Sequence, residues 1–302
     1  MNLQQTLAEE ISTIGIGLHS GTPIEMILQP SAPGKGIVFV RKDLNGEIIP
    51  VNTQSIDMNR LQLATTLRSG EAIVQTTEHL LSALYSKGID NVTVILDGPE
   101  VPIMDGSAGP FIELIEQAGI KQQKVPRKIL KITKPFHFEL QGKKVSVKPS
   151  KDFTVSYHIS FPHPLIGTQN KTAKINAKSH VESISFARTF GFLKDVDALQ
   201  KMGLIKGGSI DNAIVLDESD ILNDSLRSKD EFVSHKILDF IGDLAVSGYR
   251  FEGDFSAYKA GHEVHARFLL ALLEAKDHYC ITTEAFAENG YQSEALVQPA
   301  YA

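Results

Sequence analysis

Cysteine is almost absent: Cys280 is the only one in 302 residues. An intrachain disulfide is therefore impossible, as is a thiolate zinc cluster, and any metal ligands must be His and carboxylate. An excess of basic residues is missing too, with 30 Lys and Arg against 36 Asp and Glu and a formal net charge of -6. That balance argues against a general nucleic-acid binder, whose footprint would be basic, while local Lys and Arg leave room for an anionic small ligand. No apolar run reaches the length of a membrane span. The opening MNLQQTLAEEIS lacks a basic segment followed by an apolar one, so a cytoplasmic protein without a leader is expected. What is present is ordinary for a globular chain, 42% hydrophobic and 22% charged, and the length suggests about two domains.

The first part alternates with the strand period in ISTIGIGLHSG, TPIEMILQP and KGIVFVRKD. A helix follows at TTEHLLSALYSKG, with Thr76 or Thr77 as N-cap and Gly88 as stop. The strand NVTVILDG and the helix GPFIELIEQAG complete a layered unit over residues 1–120. Residues 121–128, KQQKVPRK, are polar and contain Pro126, which places a linker there. In 129–302 strands resume with RKILKITKPFHFEL, GKKVSVKPS and FTVSYHISF, a pattern that suits an antiparallel meander. NAIVLD and two helices follow, one beginning near Ser228 and one after Gly261. The expected fold is α+β: two similar layered domains, each a sheet packed with two helices.

Three constellations carry chemistry. In HKILDFIGD, His235, Asp239 and Asp243 stand four apart and share one face of a helix that is otherwise apolar. Two readings fit: a solvated stripe on a surface helix, or buried carboxylates that require a cation or donors. Ser228 and Glu231, as S-x-x-E, form a capping-box pattern two turns before that stripe. In TTEHLLSAL, Glu78 and His79 sit in a first helical turn. Zinc hydrolases divide labour in this way between imidazole and carboxylate, and a helix-start Glu beside a half-exposed His is equally simple. In YKAGHEVHARFLLALL, His262 and His265 are three apart at a helix start, fitting a rival metal pair, a tuned acid or solvent-facing imidazoles.

Taken in order, GIGLHSG, TTEHLLSAL, PEVPIMDGSAGPF, ARTFGF, EFVSHKILDFIGDL and AYKAGH resemble the UDP-3-O-acyl-N-acetylglucosamine deacetylase family, the zinc amidases of lipid A biosynthesis. The likeness covers essentially the whole chain. It implies that the helices of the two domains are sandwiched between the sheets, and that His79, His235 and Asp239 hold one Zn2+ with a fourth position left for water. It implies Glu78 as general base toward that water. His262 becomes the acid that stabilises the oxyanion and protonates the leaving amine, with Asp243 orienting it and favouring its charged form. Thr189 corresponds to the family threonine that helps polarise the acetyl carbonyl. Lys236 is implied as a substrate contact, Phe192 as packing on the glucosamine ring, and Phe161 and Lys143 as nucleotide-side positions. The segment of about 190–213, including Gly207 and Ser209 of KGGSIDN, is similar to an inserted acyl passage. Ser234, Ala64 and His265 depart from Arg, Cys and Asn of many members.

The resemblance thus implies a cytoplasmic enzyme of a Gram-negative-type bacterium, with acylated UDP-N-acetylglucosamine as its small-molecule partner. Charge and hydropathy add the expectation of no nucleic acid and no transmembrane segment, and no obligate protein partner is evident. Two rivals remain: the same metal site acting on another N-acetyl sugar nucleotide, and a non-catalytic lipid- or nucleotide-binding module. Retention of Glu78, His262 and Asp243 speaks against the second, since binding alone requires neither base nor acid.

Overall fold

The structure is a computed structural model and describes residues 3–283. Residues 284–302, the end of the expected second domain, lie outside the described residues. Six helices occur in the described part: α1 (Glu78–Lys87), α2 (Gly109–Ala118), α3 (Ala177–Ser183), α4 (Leu193–Lys201), α5 (Glu231–Ala245) and α6 (His262–Glu274).

A five-stranded sheet has the order Ile11–Ile16, Pro23–Pro30, Val92–Leu96, Ile37–Arg41, Glu47–Pro50. Strand alternation explains its burial: Ile24, Met26 and Leu28 are fully buried on one face of their strand, as a period of two requires when one face meets helices. Downstream of residue 127 a seven-stranded sheet forms, and Phe153, Val155, Tyr157 and Ile159 bury alternate positions of Phe153–Ser160 in the same way. Helices α1, α2, α5 and α6 lie between the two sheets. α1 packs on α2 and α5, α5 on α6 and on Phe153–Ser160, and α6 on Phe136–Leu140 and Lys143–Lys148. One continuous apolar core runs through both sheets and the helix layer, giving the α+β sandwich of two sheet-and-helix layers.

The second sheet is not a simple meander. Arg250–Tyr258, from far along the chain, inserts between Lys143–Lys148, which it meets antiparallel, and Phe153–Ser160, which it meets parallel. Its inward residues Phe251, Phe255 and Ala257 are buried, and such an apolar strand gains most at the centre of a sheet. The parallel pairing requires a crossover, and α5 lies within it.

Residues 121–128 are also not an open linker. Ile120–Pro126 is a strand paired antiparallel with Leu3–Leu7. Its polar composition is explained by side-chain pairing, because Gln123 donates to the Ser31 carbonyl at 2.7 Å and accepts from Asn91 at 2.7 Å. Arg127 adds a bidentate grip on Asp90.

Gly88 ends α1 as expected, in the left-handed region at φ 78° with its N–H on the Leu84 and Tyr85 carbonyls. Thr77 occupies the N-cap position without capping through its side chain, and its hydroxyl instead donates to the Thr65 carbonyl at 3.1 Å. The capping box at Ser228 and Glu231 does not form. α5 starts at Glu231 itself, with Asp230 as N-cap. The Glu231 carboxylate accepts from the Arg188 side chain at 2.8 and 3.2 Å and from the Arg227 N–H at 2.6 Å. A buried ion pair takes the acceptor that a cap would have used.

Candidate metal and catalytic site

Helix α5 is buried on all sides: every residue from Glu231 to Ala245 except Lys236 is buried. The stripe of His235, Asp239 and Asp243 therefore faces protein, which removes the solvated-stripe reading. It faces the first turn of α1. The two helices approach closely because α5 carries Gly242, where an added Cβ would stand 2.0 Å from the Glu78 carbonyl oxygen. This contact sets Glu78 and His79 against the stripe.

The first cluster is His79, His235 and Asp239. The Nε2 atoms of His235 and His79 lie 3.3 and 3.6 Å from Asp239 Oδ1. One ligand atom from each of the three residues falls within 4.8 Å of the others. His235 Nδ1 lies 3.1 Å from the Ala187 carbonyl, an acceptor, so Nδ1 carries the proton. Burial drives the His235 imidazole down to about 3, so it is neutral near pH 7. Its Nε2 lone pair thus faces a carboxylate oxygen with no proton between them. Asp239 Oδ1 is itself buried and makes no hydrogen bond.

Burial opposes ionisation of Asp239, but the nearby His235 and Lys236 outweigh it and hold the carboxyl well below its usual range. Since His235 is neutral, the standing counter-charge is Lys236, 2.8 Å from Oδ2. Acceptors converging at these distances call for a cation. Donor atoms around a tetrahedral ion with bonds of ~2.0–2.1 Å are about 3.3–3.4 Å apart; the His235 gap of 3.3 Å equals this and the His79 gap of 3.6 Å is slightly wider. The residues present fit a zinc ion.

The second cluster centres on Asp243. Its Oδ2 receives His262 Nδ1 at 2.8 Å and His265 Nδ1 at 2.7 Å, and its Oδ1 receives the Thr65 hydroxyl at 2.5 Å. These are hydrogen-bond lengths, shorter than the ~3.3 Å separation of donors around a tetrahedral ion. The His262–His265 pair is thus engaged as donors rather than as a metal clamp. His265 is fully buried, and its Nε2 lies 2.8 Å from the Tyr157 hydroxyl.

With Nδ1 on Asp243, His262 turns Nε2 inward, 3.8 Å from Glu78 Oε1 and 3.9 Å from Asp239 Oδ2. Burial pushes the His262 pKa down, but Asp243 and then Glu78 outweigh it and raise it to about 9. Burial conversely raises the Glu78 carboxyl, against His262 and His79. The carboxyl of Asp243 resists burial and sits far below its usual range, chiefly through His262. A retained proton on His262 and a carboxylate of raised basicity now face one gap, and this is the arrangement needed to move two protons in one reaction.

The remaining expected residues are placed as follows. Thr189 is fixed by its backbone, with its N–H on the Gly106 carbonyl at 2.8 Å and its carbonyl accepting from Ile214 at 2.8 Å. Phe161 and Phe192 come together at 6.0 Å, and Phe161 also meets Phe190, whose ring lies 6.3 Å from His235. Lys236, expected to contact substrate, is bound to Asp239 and lies 5.4 Å over the Phe190 ring. Lys143 lines a cavity of about 320 Å³ that it shares with His262, Gly261, Met58 and Leu61. Gly207 and Ser209 are not joined to these clusters by any described contact. Gly207 donates to the Leu18 carbonyl at 3.0 Å, which docks the loop on the turn at 17–21, and Ser209 donates within the loop to Asn212 at 2.9 Å.

Thr65, Tyr157, Gly242 and the Arg188–Glu231 pair were not found by reading the sequence. Only the glycine within an apolar helix offered a local signal, because a conformationally costly residue there points to close packing.

Residues 4–274 match the family described as UDP-3-O-acyl N-acetylglycosamine deacetylase. A UDP-3-O-acyl-N-acetylglucosamine deacetylase of Nautilia profundicola is 44% identical over 292 residues, 97% of this chain and 98% of its own length. The enzymes of that name from Histophilus somni and Campylobacter jejuni are 45% and 42% identical, covering 97% and 96% of this chain and 98% of each relative. With helix-borne His and Asp donors beside a Glu and a protonated His, and a likeness that runs nearly end to end, the chain belongs to the UDP-3-O-acyl N-acetylglycosamine deacetylase family of hydrolases.

Proposed function

We propose that this deacetylase removes acetate from UDP-3-O-(3-hydroxyacyl)-N-acetylglucosamine in lipid A biosynthesis, using zinc held by His79, His235 and Asp239. The observation that carries the reading is the unbonded Asp239 Oδ1 facing two imidazole nitrogens, directly beside the Glu78 and His262 pair. A bound zinc ion supplies a Lewis acid for the acetyl carbonyl and makes water more acidic. Glu78, its basicity raised by burial, takes the proton of the attacking water as the new C–O bond forms. His262 Nε2–H hydrogen-bonds the developing oxyanion and then protonates the amine as the C–N bond breaks, leaving acetate and a free amino sugar. Asp243 keeps the proton on His262 and fixes its ring through Nδ1. Thr189 adds a hydroxyl donor toward the acetyl oxygen.

Substrate recognition divides by chemistry. Phe192 packs on the sugar face, and Phe161 and Lys143 serve the nucleotide. Lys236 exchanges part of its contact with Asp239 for the substrate. The segment of 190–213 offers exposed apolar side chains, Leu193, Met202 and Ile210, to the acyl chain, with Gly207 and Ser209 shaping the loop beside it. Domains of 1–120 and 129–302 then each contribute one half of the site. No described helix is long and apolar enough to cross a membrane, and we place the reaction in the cytoplasm without nucleic acid or an obligate protein partner.

Acetate release from purified UDP-N-acetylglucosamine, with and without the 3-O-hydroxyacyl chain, tests the assignment on the zinc-loaded protein. Turnover should require both acyl chain and metal. Full activity on the unacylated sugar nucleotide would move the substrate to another N-acetyl compound. Undiminished activity after complete metal removal would end the zinc reading.

A further inference from the structure

Thr65 lies in the stretch between the short helical turn at 53–55 and the strand Leu67–Ser69, and the mechanism above gives it no part. It is 3% exposed, and every polar group it owns is committed. Its N–H donates to Glu78 Oε2 at 3.0 Å and its hydroxyl to Asp243 Oδ1 at 2.5 Å. Its carbonyl accepts from the Thr77 N–H at 3.3 Å and the Thr77 hydroxyl at 3.1 Å. One residue thus touches the base on α1 and the carboxylate on α5 that orients the acid on α6.

We infer that Thr65 is a positioning residue that fixes Glu78 and Asp243 relative to each other, through its N–H and its hydroxyl respectively. The inference rests on the acid–base roles proposed above. Its physical basis is the softness of a carboxylate about its last torsion, which lacks sharp staggered minima. Three donors from two elements pin the Asp243 carboxylate: Thr65 on Oδ1, and His262 and His265 on Oδ2. The single hydroxyl proton is spent on Oδ1, so the Thr65 oxygen can only accept from His262 Nδ1, 3.4 Å away. Both contacts direct His262 Nε2 toward the gap. Without the hydroxyl, Oδ1 becomes a buried acceptor with no donor, the carboxylate can turn, and the His262 ring turns with it. The backbone contact to Glu78 survives any side-chain change at this position, so the hydroxyl can be tested alone.

Thr65→Val keeps the shape and deletes the donor, and Thr65→Ser keeps the donor. Measured on the zinc-loaded full chain with acylated substrate, Thr65→Val should lower kcat about tenfold or more, as for loss of one hydrogen bond to a charged group. KM should stay within about twofold and zinc content at the parental ratio, while Thr65→Ser recovers most of kcat. In an Asp243→Asn background the Val substitution should cost little further, because the carboxylate it served is gone. Thr65→Ala is read in the same way should Val disturb folding. Turnover within twofold of the parent in a folded hydroxyl-less variant overturns the inference, as does an equal loss in Val and Ser or a full additive loss in the double variant. Absence of deacetylation by the parent protein would instead overturn the functional reading itself.

Discussion

Gly242→Ala tests the contact that brings the two halves of the site together. The added Cβ would lie 2.0 Å from the Glu78 carbonyl oxygen and 2.7 and 2.8 Å from its carbonyl carbon and Cα. A carbon and an oxygen in contact settle at about 3.3–3.6 Å, and the obstacle is helix backbone, so no rotamer change relieves it. α1 and α5 must separate by about 1.3 Å, which carries Glu78 and His79 away from the α5 stripe. The gap between His79 Nε2 and Asp239 Oδ1, now 3.6 Å, would open toward about 5 Å, beyond what ligand distances held to about ±0.2 Å allow. Overpacking of this kind costs about 1–3 kcal/mol of stability, and a displacement near 1 Å costs about a hundredfold in rate. Equilibrium dialysis against zinc with metal analysis reads the first effect, urea unfolding the second, and kcat/KM on the folded variant the third. A variant with parental zinc affinity and turnover within about threefold would show that the helix approach does not govern the site.

Other outcomes separate the roles of neighbouring groups. Glu78→Gln should retain zinc while losing most turnover, whereas His79→Ala and Asp239→Ala should lose the metal; unchanged zinc in both ligand variants refutes the ligand set. Activity should rise with pH as Glu78 ionises, at a pH above the usual carboxylate range because burial raises it, and fall as His262 loses its proton near the value of about 9. Asp243→Asn removes the main group that holds that proton against burial, so the alkaline limb should move to lower pH; a limb that stays in place or moves up contradicts the pairing. Arg188→Leu removes the charge partner of the Glu231 carboxylate, which is fully buried and keeps only backbone donors, and should cost about 3–5 kcal/mol in urea unfolding; a loss below about 1 kcal/mol would show that the pair is not a buried clamp.

Much of the local structure is legible in the sequence because it is written at short range. Alternation in FTVSYHIS announces a half-buried strand, Gly88 marks where α1 stops, and the four-residue spacing of His235, Asp239 and Asp243 places them on one helical face. What lies beyond a few residues is not written there. That α1 meets α5 follows from packing at Gly242, and only the family resemblance joined His79 to His235 in advance. The S-x-x-E pattern misled because a distant Arg188 claims Glu231. The polar stretch at 121–128 misled because its partners, Asn91 and Ser31, come from elsewhere in the chain. Thr65 carries no mark at all, since a threonine in a loop looks the same whether its hydroxyl meets water or a buried carboxylate.

The late arrival of Arg250–Tyr258 at the heart of the second sheet has a consequence for biogenesis. Strands made much earlier, Lys143–Lys148 and Phe153–Ser160, leave open the slot it fills, and they cannot close over the helices until the ribosome has released it. His262 emerges only four residues after that strand ends. Sheet closure and delivery of His262 are therefore simultaneous events in synthesis, and a nascent chain stalled before residue 250 would expose unpaired edges, a state prone to association.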